Sequence, residues 1–96
     1  MKLFACTCFL VLMPLVVSAQ LTDSTTQRIA SAGSAEQRVD AMNEVAWELR
    51  HNHPDEALDL ALDARNLADS VGYESGLGWA FRNEGVAEYI IGNYAD

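Results

Sequence analysis

Residues 43–56, NEVAWELRHNHPDE, and residues 83–96, NEGVAEYIIGNYAD, read as two copies of one segment set 40 residues apart without a gap. Asn43/Asn83, Glu44/Glu84 and Glu48/Glu88 are identical, and Glu56/Asp96 keeps its charge. A helical pattern repeated at this spacing points to stacked helix pairs, whose single units cannot bury their apolar faces alone. The second copy is cut short at Asp96, which predicts further repeats of the same chain beyond it.

Helix punctuation lies between the copies. Ser34-Ala35-Glu36-Gln37 reads as a capping box: the Ser34 hydroxyl can accept from the Gln37 backbone N–H, and the Gln37 side chain can reach back. A helix is therefore expected over 35–51, with Val39, Met42, Val45, Ala46 and Leu49 on one apolar face and Trp47 off its centre. Pro54 suits the first position of a second helix, and Asp55 and Glu56 complement its positive end. This helix is expected over 54–71. Ala57, Ala61, Ala64 and Ala68 form a small-residue stripe along it, and Gly72 is a natural left-handed stop. A third helix is expected over 74–91, carrying Trp79, Phe81, Val86, Tyr89 and Ile90. Gly76, Gly78 and Gly85 lower its intrinsic propensity by roughly 1 kcal/mol each, which suggests close packing by a neighbour. Gly92-Asn93 is read as the next turn, with a fourth helix starting at Tyr94. Nothing alternates like a strand.

The N-terminal end reads differently. In MKLFACTCFLVLMPLVVSA, Lys2 precedes an apolar run that ends in Val17-Ser18-Ala19. This is the pattern of a signal peptide over 1–19, cleaved between Ala19 and Gln20. The run is broken by Pro14 and is shorter than the ~20 residues of a membrane span. Leu3-Phe4-Ala5-Cys6 resembles a lipidation box, yet no apolar stretch precedes it. Cleavage removes Cys6 and Cys8, leaving no disulfide or thiol chemistry in an exported, periplasmic or secreted segment. Residues 20–34 are small and polar, a linker or short helix. Five arginines face fourteen acidic residues in the mature segment, a net charge of −9. Such a surface repels phosphate backbones and anionic headgroups, so no nucleic acid is expected as a partner. A membrane would be met only through the signal peptide or a later segment.

Residues 37–96 resemble the tetratricopeptide repeat in its longer form of about 40 residues. Gly85 falls where that family has its first-helix glycine, and Gly92-Asn93-Tyr94 resembles its turn. Ala57, Ala61 and Ala64 match its small packing positions, and 67–73 resembles the helix end of the longer form. The chain departs from the family pattern at Glu44, Glu84, Glu48 and Glu88, where apolar or aromatic residues are usual. The resemblance implies an all-α solenoid of antiparallel helix pairs, about one and a half repeats: 35–73 as the first and 74–96 as part of the second. It also implies a peptide-binding groove lined by Val39, Met42, Ala46, Leu49, Trp79, Arg82, Val86 and Tyr89. The lysine-rich clamp that some members use for acidic chain ends has no counterpart, because the mature segment lacks lysine.

Glu44/Glu48 and Glu84/Glu88 are each four apart and share a helix face. An acidic ladder for cations or basic peptides is one reading. Solvated or arginine-paired faces, with Arg50 and Arg82 as partners, are the reading favoured here. His51, His53, Asp55 and Glu56 cluster at a helix junction, but the second copy lacks the histidines, so polar turn residues rather than a metal site are expected. No catalytic motif or cofactor fingerprint is present, and Gly76-x-Gly78 follows no strand. The expected function is a protein–protein interaction module with a protein or peptide partner. By resemblance it forms the N-terminal sensory part of an exported or membrane-anchored bacterial signalling protein. The alternative places a histidine kinase, nucleotide cyclase or helix-turn-helix regulator beyond Asp96, so that the parent protein, not this segment, is an enzyme or regulator. With one and a half repeats the chain is expected to be only marginally stable alone.

Overall fold

A computed structural model describes residues 24–95. The expected signal segment, its cleavage point between Ala19 and Gln20, and residues 20–23 lie outside the described residues. The described chain is all-α, without a strand. A short helical stretch at 24–30 (α1) is followed by α2 (Ala35–Leu49), α3 (Pro54–Val71) and α4 (Glu74–Ala95). The linker-or-short-helix segment thus contains a helix.

Local chemistry explains the helix ends. Ser34 Oγ accepts from Gln37 N at 3.1 Å, as a capping residue should. The Gln37 side chain reaches one residue further back than a standard capping box, taking the N–H of Gly33 at 2.8 Å. The first expected helix ends at Leu49, two residues early, and the Arg50 guanidinium donates to Trp47 O at 2.6 Å. It thereby adds a second donor to a terminal carbonyl that the Arg50 backbone N–H reaches only at 3.4 Å. Pro54 opens α3 with Asp55 and Glu56 in its first turn. Gly72 closes it at φ 71°, ψ 27°, where a Cβ would be strained. Gly72 N donates to Asp69 O and Tyr73 N to Ala68 O, the paired bonds of a Schellman end.

The Gly92-Asn93 turn is not formed. α4 runs through both residues to Ala95, and Gly72 is the one glycine with a positive φ among the described residues. A glycine ends a helix only where the chain adopts the left-handed conformation. Elsewhere it costs about 1 kcal/mol and the hydrogen-bonded ladder continues.

The connections at 50–53 and 72–73 are short, so α3 runs antiparallel to both neighbours. α2 and α4 lie side by side in the same direction: Asp40 meets Tyr73, and Asn43 meets Gly76 and Asn83. The alanine stripe of α3 is the packing seam. Ala57, Ala61, Ala64 and Ala68 are at most 1% exposed, and Val39, Val45, Ala46, Ala80 and Ala87 close around them. Small side chains bring the helix axes together, so the buried core is thin. Met42, Leu67, Tyr73 and Leu77 wrap its edge half-buried. Only one of the three early α4 glycines reflects close approach. A Cβ on Gly76 would sit 2.5 Å from Tyr73 Cδ2 and 2.7 Å from Val39 Cγ1, whereas Gly78 and Gly85 face open space.

Candidate functional site

The repeated asparagines meet. The Asn83 side-chain amide donates to Asn43 O at 3.0 Å and to Asn43 Oδ1 at 3.1 Å. Asn43 in turn donates to Gly76 O at 3.2 Å. Asn43 is fully buried and Asn83 is 4% exposed. These donor assignments fit together: turning the Asn83 amide over would set its oxygen against two other oxygens. The same residue, one repeat apart, thus binds the two copies to each other through a buried polar contact. Asn83 Oδ1 is buried and has no donor among the described residues, although buried acceptors are nearly always paired.

The repeated glutamates find other partners than expected. Arg28 on α1 donates to Glu48 at 2.9 Å and to Glu44 at 3.4 Å. Arg65 on α3 places Nη1 at 3.0 and 2.9 Å from the two oxygens of Glu84. Neither Arg50 nor Arg82 forms an ion pair among the described residues, so their expected role as glutamate partners is corrected. The hydrogen bond to Glu48, then its charge, holds the Arg28 guanidinium above its already high ordinary range. A second cross-helix bond runs from the Tyr73 hydroxyl to Asp40 Oδ1 at 2.8 Å. It pushes the phenol above its ordinary range, because the bond favours the protonated form.

The eight expected groove residues do not share one surface. Val39 and Ala46 are at most 1% exposed and belong to the core, closed to any ligand. Met42 packs half-buried on that core. Leu49 turns toward α1, where it lines a 270 Å³ cavity with Ile29, Val45, Leu60 and others. Val86 is half-buried, and Tyr89 stands out at 70% exposure. Trp79 and Arg82 do come together, and Trp47 joins them around a cleft of about 290 Å³. The Arg50 guanidinium lies 3.6 Å from the Trp47 ring centroid, and that of Arg82 lies 5.2 Å from it. Both are cation–π distances. Trp47 is the residue that the sequence places off the centre of the apolar face. Its signal was its place one turn after Asn43, on the side of α2 that faces α4.

His51 and His53 are exposed at the α2–α3 junction, and among the described residues no three potential metal ligands converge. Comparison with known proteins finds no matching family model, no matching curated sequence and no matching solved structure.

Proposed function

We propose that the chain is a protein–protein interaction module built as a tetratricopeptide-like α-solenoid, and that its side formed by α2 and α4 holds a segment of a partner protein. The observation that carries this reading is the buried Asn43–Asn83 pair. Residues identical in the two sequence copies bond directly, which supports a repeat in space. Asn83 Oδ1 is buried without a donor among the described residues, as an acceptor for a further stacked helix would be. Of the large apolar residues left on the outside, Phe81 at 53% and Tyr89 at 70% exposure lie on α4, and Val71 at 45% ends α3. The export pattern of residues 1–19 supports a role outside the cytoplasm.

A displayed-peptide screen against the full chain tests this, followed by amide hydrogen exchange with the enriched peptides. Enriched sequences that slow exchange in α2 and α4 more than in α3 are expected. A screen without enrichment, or protection confined to α3, would refute the reading.

A further inference from the structure

We infer that the outward face of α4 pairs with the same face of a second copy of this chain, the two helices running antiparallel and crossing at Gly85. This goes beyond the interaction-module reading, and its test needs no partner protein.

The first ground is the shape of this face. Residues seven apart on a helix fall within about 20° of one line. Gly78, Gly85 and Gly92 are spaced so, and all three are exposed. A Cβ on any of them would meet no atom within 4 Å among the described residues. The buried residues Ala80, Asn83, Ala87 and Ile90 occupy the opposite side of the helix. Phe81 and Tyr89 lie four residues on either side of Gly85, about 40° to each side of the glycine line. They are 53% and 70% exposed, although the Arg65 guanidinium lies 5.5 Å from the Phe81 ring on the α3 side. Glycine disfavours a helix interior, and a row of three bares backbone that another helix can approach closely. Two aromatic side chains border that row and would be buried by such an approach.

The second ground is that the face complements itself. Arg82 and Glu88 lie three residues on either side of Gly85, both exposed, and neither forms an ion pair among the described residues. An antiparallel copy crossing at Gly85 sets each residue before that glycine level with the one equally far after it in the other protomer. Arg82 is then level with the partner's Glu88, Phe81 with the partner's Tyr89, and Gly78 with the partner's Gly92. A two-fold axis makes each of these contacts twice, as in an isologous dimer. Parallel pairing would instead set arginine level with arginine and glutamate with glutamate, which is repulsive. The other carboxylates of α4 lie off this contact: Glu84 is held by Arg65, and Glu74 lies a turn before the glycine row. The net charge of −8 opposes association of two copies, but salt screens distant charges more than paired ones in contact.

Sedimentation velocity of the full chain over a range of concentrations, at about 0.15 M salt, tests this. A reversible monomer–dimer equilibrium is expected, because one helix-on-helix contact is small for a protein interface. Gly85→Glu sets two like charges at the axis and should weaken the dimer at least about tenfold. Its helical circular dichroism should be kept, since the position faces open space. Arg82→Glu or Glu88→Arg alone should weaken the dimer about threefold, and the two together should restore it. Disulfide formation reads the register. In a chain carrying Cys6→Ser and Cys8→Ser, Gly85→Cys should cross-link to its partner copy on mild oxidation. Gly78→Cys and Gly92→Cys should not, because only residue 85 meets itself at the axis. If Gly85→Glu loses its helix, the cross-linking pattern decides alone. A chain that stays monomeric, association unchanged in a folded Gly85→Glu, or equal cross-linking at all three positions would overturn the inference. Each of those results leaves the peptide-binding reading of the α2–α4 side standing.

Discussion

Asn43→Asp tests the buried amide contact most sharply. The substitution keeps the side-chain shape and exchanges one donor for an acceptor. Asn43 is fully buried, and its amide nitrogen lies 3.2 Å from Gly76 O. An ionised Asp would set a negative oxygen against that carbonyl, with no arginine bonded to the position. The lost hydrogen bond alone is worth about 1 kcal/mol. Burial without a cation should raise the new carboxyl's pKa by roughly 2–3 units, at about 1.4 kcal/mol per unit. The deficit against the parent chain should therefore be about 3–5 kcal/mol near pH 7, a large part of the 5–15 kcal/mol that holds a domain together. The sign follows from the raised folded-state pKa. The folded form keeps its proton to higher pH than the unfolded form. The protonated Asp is therefore tolerated below about pH 4, and stability falls as pH rises through the folded value near 6–7. A protonated Asp can also donate to Gly76 O. Chemical unfolding followed by circular dichroism, parent and variant in parallel at about pH 7 and about pH 4, reads both quantities. Asn43→Ala should show a smaller, pH-independent deficit. If Asn43→Asp equals the parent near pH 7, or if its deficit is the same at both pH values, the buried Asn43–Asn83–Gly76 network is not as described.

Gly85→Ala should raise stability by up to about 1 kcal/mol, because the new methyl meets nothing within 4 Å and helix propensity improves. Gly76→Ala should lower it by about 1–3 kcal/mol, since the methyl would collide with the Tyr73 ring and Val39; unfolding midpoints of the two variants should move in opposite directions. Arg65→Ala should cost about 1–2 kcal/mol, because it removes the partner of Glu84, whose side chain is 16% exposed. Arg65→Lys should restore only part of that loss, as a thermal melt would show. Mass spectrometry of the exported chain should find Gln20 as its first residue, and a mature product that retains Cys6 would refute the signal-peptide reading.

Helix starts and stops were legible in the sequence because their causes act within a turn or two. Ser34 and Gln37, Pro54, and Gly72 with Tyr73 each mark an end through contacts between residues at most five apart. The alanine stripe was equally plain, since its spacing alone puts Ala57, Ala61, Ala64 and Ala68 on one face. The 40-residue repeat identified Asn43 and Asn83 as equivalent, but not as partners. That pairing, like the choice of Arg28 for Glu48 and Arg65 for Glu84, joins residues 19 to 40 positions apart. It depends on how each helix is rotated about its axis and where it crosses its neighbour. A rotation by one residue, about 100°, would bring a different side chain to the contact. Composition counts arginines and glutamates without saying which will meet. For the same reason Val39 and Ala46 turned inward while Trp47 turned toward Arg82. Gly92-Asn93 carries the residues of a turn, yet the helix continues through it. Residue preferences set where this chain can bend, and packing between helices decides which side chains form the site.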